Sequence, residues 1–462
     1  MDPTQRFDPN RTMLTGAPGT GDPMKTMAMN PFDPIADFGK TQAIDPAVFG
    51  GKSVRAEIIP GRVAAMANGP AREQFLVQFT AIGDAIPGLS TGARTPLNLC
   101  LVIDRSGSME GPPLDFVKQA CSYVVDLLTP NDVLSIVTFE EVVDVLMPAQ
   151  RVTNKQLIKD GIMRLAPGNT TNLYDGLSLA VQQVTALNDP GRATRMIVLT
   201  DGDPTAGIKD FSALVQHAGD IKSRGITCTF LGFGPDYNEE LLASMAKRAG
   251  GNYYYISQPN LIPEIFRTEL EKLMTVVAQN LKLDVKLARW VSARSPQIAT
   301  QAASFSVQLT DLERGATLEQ VFDLEMSNHP LGWYRIASGK LTYDDTATGG
   351  TEVIDLDLVI EFSADSAAYS APQDPRVKAA AQVAQASRVV EKTILGMKTG
   401  VLTQMGAMQE LEKTQALLLG EGRVAEAQEV TMALNALRSG DNAGAEKTLM
   451  GTVFKMDQGK KS

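Results

Sequence analysis

Five oxygen-bearing side chains stand at three separated points of the chain. Asp104, Ser106 and Ser108 lie in Asp104-Arg105-Ser106-Gly107-Ser108-Met109, Thr171 in Gly168-Asn169-Thr170-Thr171-Asn172, and Asp201 in Thr200-Asp201-Gly202. Carboxylates and hydroxyls are hard donors. Mg²⁺ takes a near-octahedral shell of such oxygens and retains some of its waters. Gly107, between the two serines, is expected to let the loop turn so that both hydroxyls face one point. A lone Asp-x-Ser-x-Ser would say little, but here three separate motifs offer the same kind of donor.

The elements around these motifs say how they could meet. Residues 97–103 and 196–199 are short apolar runs that end at Asp104 and just before Asp201, and Thr171 precedes a helical pattern starting at Leu173. Further runs at 133–139 and 226–233 alternate with amphipathic segments at 114–128, 173–187 and 211–224. Continuous apolar strands separated by helices imply crossover connections and a parallel sheet covered on both faces. In such open α/β sheets ligands sit outside the carboxyl ends of the strands. The expected fold class is therefore α/β, with a doubly wound, mostly parallel, Rossmann-like sheet over 96–278. Residues 141–148 read as a short antiparallel edge strand.

On both sides of this domain the period changes from helical to alternating, as in Val54-Arg55-Ala56-Glu57-Ile58 and Leu281-Lys282-Leu283-Asp284-Val285. The first segment is short for a core of its own. Segments 52–95 and 280–363 are read as one discontinuous β-sandwich into which the α/β domain is inserted, since insertions succeed at loop tips. Residues 374–456 form four helical patterns separated by glycines, a helical-hairpin module whose default role is packing.

The three site motifs together resemble the von Willebrand factor type A (VWA) domain and its metal-ion-dependent adhesion site, in which Asp-x-Ser-x-Ser, a distant Thr and a distant Asp surround one ion. Asp104, Ser106 and Ser108 match the first element, Thr171 the second better than Thr170, and Asp201 the third. The resemblance covers roughly residues 95–278. It implies a bound divalent cation, Mg²⁺ or otherwise Mn²⁺ or Ca²⁺, with one coordination position left for an Asp or Glu of a partner protein. It also implies a rim formed in part by residues 202–205 and 172–174, with Asp203 and Glu110 as simply exposed neighbours. The flanking sandwich strands and helical tail look like soluble bacterial proteins of this superfamily. An AAA+ ATPase is a partner that the resemblance brings into view.

Other function classes fit less well. With 43 basic and 53 acidic side chains the net charge is −10, which disfavours a nucleic-acid partner. No run approaches the roughly 20 apolar residues that span a bilayer. The start, MDPTQRFDPN, lacks the apolar core of a secretory signal. Cys100, Cys121 and Cys228 sit inside apolar patterns and read as buried thiols, which places the protein in the cytoplasm. A hydrolase would want a Gly-x-Ser-x-Gly elbow and a histidine base; Ser106 lacks that frame, and His217 and His329 lie apart from it. No catalytic residue is assigned, and a non-enzymatic interaction protein is expected. Residues 1–50 show the composition of a disordered tail. Thr12, Thr26 and Thr41 recur there after basic residues, 26 − 12 = 14 and 41 − 26 = 15 positions apart. They suit a Ser/Thr kinase, and their phosphorylated forms suit a forkhead-associated domain. That gives the alternative reading: a phosphothreonine-regulated signalling scaffold.

Overall fold

The computed structural model describes residues 47–50, 53–82, 96–187, 192–234, 237–294 and 303–461. Thr12, Thr26 and Thr41, with the rest of the tail up to residue 46, lie outside the described residues.

The first strands are β1 (Ala47–Gly50), β2 (Val54–Pro60), β3 (Ala64–Met66) and β4 (Ala71–Ala81). The α/β domain follows: β5 (Leu97–Asp104), α1 (Pro112–Leu127), β6 (Val133–Phe139), β7 (Asp144–Arg151), α2 (Lys155–Met163), α3 (Leu173–Ala186), β8 (Ala193–Thr200), α4 (Phe211–Ser223), β9 (Thr227–Phe233), α5 (Glu239–Ala249), β10 (Gly250–Ile256) and α6 (Ile262–Met274). Strands then return as β11 (Val276–Leu287), β12 (Val291–Ala293), β13 (Ser304–Gln308), β14 (Leu312–Glu313), β15 (Thr317–Met326), β16 (Gly332–Asp345) and β17 (Thr351–Ser363). A short helix α7 (Ser366–Tyr369) leads to α8 (Pro375–Lys398), α9 (Gln404–Gly420), α10 (Val424–Ser439), α11 (Asn442–Gln458) and a two-residue strand β18 (Lys460–Lys461).

The α/β sheet has the order β10-β9-β8-β5-β6-β7, parallel throughout except for the antiparallel edge strand β7. β5 lies at its centre and every residue of it is buried. Strand alternation divides its side chains between two cores. Leu99, Leu101 and Ile103 pack with Val117 of α1 and Phe266 of α6, whereas Cys100 and Val102 pack with Leu177 of α3 and Leu214 of α4. Each such fully buried apolar side chain contributes about 1.5–3 kcal/mol. This burial fixes the register that brings the carboxyl ends of β5 and β8 side by side.

The remaining strands form two sheets packed face to face. One has the order β1-β2-β4-β15-β12, with β18 on β15; the other has β13-β11-β16-β17-β3, with β14 on β11. Their shared core holds Val54, Val77, Phe79 and Leu318 against Leu283, Leu341 and Leu356. β4, before the α/β domain, pairs with β15, after it, from Ala71↔Met326 to Thr317↔Thr80. One sandwich is thus built from segments on both sides of an inserted domain, and β11 enters it directly from α6.

Helices α8–α11 have a core of their own around Val390, Leu411, Val430, Leu434 and Leu449. They also pack outward. Val377 and Ala380 of α8 cover Ile59 and Leu76 on the outer face of the sandwich, while Phe454 of α11 joins the α/β core and meets Tyr253 edge-on at 6.1 Å.

Candidate metal centre

The parallel pairing of β5 with β8 runs to Ile103 opposite Leu199, so the next residues along, Asp104 and Thr200, end the two strands together. The Thr200 hydroxyl donates to Asp104 Oδ2 at 2.5 Å, and the Ser106 amide donates to Asp104 Oδ1 at 2.8 Å. One residue beyond Thr200, Asp201 Oδ1 accepts from the Ser108 hydroxyl at 2.8 Å and from the Ser106 hydroxyl at 3.3 Å. The two serine oxygens are 3.2 Å apart. Asp104, Ser106 and Asp201 are buried, while Ser108 sits at the open side.

The third segment is clamped onto the second. Thr171 is buried; its N–H donates to the Thr205 hydroxyl at 2.9 Å, and its carbonyl accepts from the N–H groups of Thr205 and Ala206 at 2.9 and 3.2 Å. A Cβ placed on Gly202 would lie 3.8 Å from Thr171 Oγ1, so the Thr171 hydroxyl faces the backbone beside Asp201. The loop is held from its other side too. Gly107 N–H donates to Asn169 O at 3.2 Å and Gly168 N–H to Arg105 O at 2.5 Å. Arg105 pairs with Glu140 at 3.1 Å, and the other Glu140 oxygen accepts from the Asn169 N–H at 3.2 Å. The structure therefore brings Asp104, Ser106, Ser108, Thr171 and Asp201 from three loops to one place above the sheet. Glu110 and Asp203 are exposed at its edge.

At Gly107 the loop turns through a 3₁₀ segment, Gly107–Met109, with the two serine hydroxyls 3.2 Å apart, while the positive φ falls on Gly111 at 84°. A side chain at 107 would touch the carbonyls of Gly168 and Asn169 at 3.5 and 3.6 Å, ordinary contact distances. Thr200 was not singled out in the sequence, although strand pairing between two motif-bearing strands is the signal that would have found it.

The electrostatics suit a cation. Burial pushes the Asp104 carboxyl up to about 7, against the opposing pull of the Thr200 hydroxyl and the Ser106 amide, and the nearby Asp201 charge pushes it the same way as burial. Its hydrogen-bond partners are neutral groups, so an unbalanced negative charge is desolvated here. The donor set of two carboxylates and three hydroxyls is entirely hard oxygen, as Mg²⁺ or Ca²⁺ requires. Among the described residues no cluster of three or more His, Cys, Asp or Glu offers a rival centre. His217 stacks on Tyr174 at 4.4 Å with its Nε2 3.2 Å from the Ser178 hydroxyl, and His329 stacks on Trp290 at 3.9 Å. Cys100, Cys121 and Cys228 are buried and unpaired with one another, and no described helix is long and apolar enough to cross a membrane.

Residues 98–268 match the family model of the von Willebrand factor type A domain, and this part of the chain is a VWA domain. A protein of Synechocystis sp., sll0103, is 32% identical over 275 residues, which span 56% of this chain and 64% of that protein. Human inter-alpha-trypsin inhibitor heavy chain H4 is 26% identical over 250 residues, 47% of this chain and 26% of its own length. The chain thus spans less than two thirds of either relative. Two solved structures share the wider architecture. A von Willebrand factor type A protein from Catenulispora acidiphila has a TM-score of 0.66 at 17% identity over 84% of this chain and 91% of its own. The ArnB paralog VWA2 from Sulfolobus acidocaldarius has a TM-score of 0.60 at 17% identity over 88% and 98%. At that identity they speak for the fold, which extends through the sandwich and the helical region as well as the VWA domain.

Proposed function

We propose that the VWA domain holds a divalent cation, Mg²⁺ or otherwise Mn²⁺ or Ca²⁺, on Asp104, Ser106, Ser108, Thr171 and Asp201, and so binds an acidic group of a partner protein. VWA domains are known for metal-dependent protein–protein interaction, and the family match supports this assignment. The observation that carries it is the contact of Asp201 Oδ1 with both serine hydroxyls, beside a buried Asp104 whose partners are neutral. When bound, the ion supplies an electrophilic centre with room for one more carboxylate. The protein's own groups do the rest. Only two carboxylates balance the ion's charge, and the hydroxyls of Ser106, Ser108 and Thr171 add donors without adding charge. The Thr200 hydroxyl and Ser106 amide fix the orientation of Asp104, and the Arg105–Glu140 pair braces the Thr171 loop against the end of β6.

In this reading the protein is a binding module and not an enzyme. Its buried thiols fit a reducing, cytoplasmic setting. The tail-based alternative, with a Ser/Thr kinase and a forkhead-associated reader as partners, has no observation among the described residues in its favour.

The test pairs calorimetry with affinity capture. Wild-type protein should bind Mg²⁺ and recover a partner from lysate in Mg²⁺ but not in EDTA. Asp104→Ala should lose both while keeping its circular dichroism spectrum, and Thr171→Ala should weaken both more mildly. Equal recovery in Mg²⁺ and EDTA, or unchanged Mg²⁺ binding by Asp104→Ala, would count against the reading.

A further inference from the structure

Helix α8 lies against the outer face of the sandwich through Val377 and Ala380, and beside that contact a groove of about 450 Å³ opens between the helix and strands β4 and β15. Four cations line it: Arg72 of β4, and Lys378, Arg388 and Lys392 of α8. Among the described residues Asp323 of β15 is the one carboxylate in the lining, and it is already paired. Arg72 Nε donates to Asp323 Oδ1 at 2.7 Å, and a second N–H of the same guanidinium donates to Oδ2.

The three cations of α8 have no such partner. Among the described residues no carboxylate lies within ion-pair distance of Lys378, Arg388 or Lys392. The acids nearest along the chain are engaged elsewhere: Asp374 with Arg376 at 3.0 Å, Glu73 with Arg62 at 3.0 Å and Glu325 with Arg294 at 2.9 Å. Glu391 is exposed and does not line the groove. Arg388 stands one turn before Lys392, and like charges at that spacing repel each other. In a chain of net charge −10, three uncompensated cations on one groove stand apart from the rest of the surface. An anion bound between them would offset their repulsion.

We propose that this groove is a binding site for a linear polyanion built of phosphate groups. Lys378 and Lys392 are fourteen residues apart (392 − 378 = 14), about 21 Å along a helix axis, so the positive charge is strung out and not gathered at one point. Apart from Ala381 and Val389 the lining is polar, with four glutamine side chains adding amide donors. A protein segment would want a large apolar anchor, and a single-stranded nucleic acid an aromatic platform for its bases. Among the described residues the groove has neither. A chain of phosphates carries charge on every unit and no apolar part. Lysine and arginine both bind phosphate, and Arg388, whose Nε donates to Ala384 O at 3.2 Å, leaves its terminal nitrogens available. The groove belongs to the sandwich and the helical module, so the proposal does not depend on the metal-dependent reading above.

The test is calorimetry on the full chain, in EDTA so that the metal centre takes no part, with inorganic polyphosphate, pyrophosphate and a polyglutamate peptide as probes. Wild-type protein should bind polyphosphate more tightly than either other probe, and less tightly as salt rises. Lys378→Gln/Arg388→Gln/Lys392→Gln should weaken polyphosphate binding on the order of tenfold. Its urea midpoint without ligand should match or exceed that of wild type, because like-charge repulsion is relieved. Lys286→Gln/Arg289→Gln/Lys340→Gln removes the same charge from exposed positions of the sandwich outside this groove, and should leave binding within about twofold. Equal losses in the two triple variants, no loss in the first, or polyglutamate bound as tightly as polyphosphate overturns the proposal. A lowered urea midpoint in the groove variant overturns it too, since the three cations would then serve the fold.

Discussion

Gly207→Ala adds one methyl group at the place where two loops of the candidate site meet, and its cost can be worked out in parts. The backbone there has φ 68°, which a residue bearing a Cβ adopts at a cost of roughly 1–2 kcal/mol. The methyl would also lie 2.2 Å from Asn172 Oδ1, so Asn172 must move. Asn172 is the N-cap of α3: its Oδ1 accepts from the Asp175 N–H at 3.4 Å, and its Nδ2 donates to Asp175 Oδ2 at 2.8 Å. Losing a cap costs about 1 kcal/mol. The total is roughly 2–3 kcal/mol, centred on the segment that carries Thr171. Urea unfolding followed by far-ultraviolet circular dichroism should read that loss. Hydrogen exchange should locate it in the first turn of α3 and the β8–α4 loop, and Mg²⁺ affinity should fall because Thr171 shifts. A double-mutant cycle separates the two parts. Asn172→Ala alone loses the cap, but in the double variant the clash is gone, so the pair should cost about 1 kcal/mol less than the sum of the singles. Strict additivity would refute the claim that Gly207 is required by its approach to Asn172. A Gly207→Ala variant within about 0.5 kcal/mol of wild type, the usual range for an inconsequential surface change, would refute the reasoning altogether.

Two further predictions concern buried groups outside the site. Burial pushes the thiols of Cys100, Cys121 and Cys228 up to about 12, so none should react with a disulfide reagent at neutral pH until urea unfolds the chain; rapid labelling of the native protein would contradict this. Burial alone would raise the Glu239 carboxyl, but hydrogen bonds from Lys398 at 2.7 Å and Lys447 at 2.9 Å outweigh it and hold it at about 2 against an ordinary 4.5. Because the folded value lies below the unfolded one, this stabilisation is complete above pH 4.5 and is lost as pH falls through about 2. Discounted from about 3.4 kcal/mol because solvent still screens this half-buried group, it amounts to roughly 2–3 kcal/mol. Glu239→Gln should flatten the acid limb of a urea-midpoint profile, and an unaltered limb would show that the cluster contributes nothing.

The strands were readable in the sequence where burial is two-sided. Residues 97–103 and 133–139 are continuous apolar runs because helices cover both faces of the sheet. The three site motifs were readable for a related reason, since each sits beside such a run or before a helix. β10 was not. It is an edge strand, half-buried at Asn252, Tyr254 and Tyr255, and its Gly-Gly-Asn-Tyr-Tyr-Tyr sequence carries no clean period. Contacts that depend on register between distant segments also stayed hidden. Thr200 orients Asp104 only because β5 and β8 are neighbours, and Gly207 matters only because the β8–α4 loop folds back onto Asn172. Gly107 could be read locally as the place where the loop turns, but the positive-φ backbones of Gly111 and Gly207 on the two site loops left no such local mark.

The way the other parts of the chain grip the VWA domain explains why one end of it stays open. Arg195, near the start of β8, is 2% exposed and forms an ion pair with Asp311 of the sandwich, and Lys222, near the end of α4, donates to Asn280 at 2.9 Å. Both contacts lie at the amino ends of the parallel strands. On the β10 flank, Lys447 of α11 donates to Tyr237 O at 2.6 Å and to Glu239 Oε2 at 2.9 Å, while Lys247 meets Asp457 at 3.1 Å near the far end of the same two helices. Buried ion pairs are weak sources of net stability, yet breaking one is costly, so their effect is to hold elements in one relative position. With the sandwich fixed at one pole and α11 fixed along α5, the loops after β5 and β8 are left facing solvent, with Ser108, Glu110, Asp203 and Ile208 exposed on them. The buried carboxylates of Asp104 and Asp201 lie just beneath that surface.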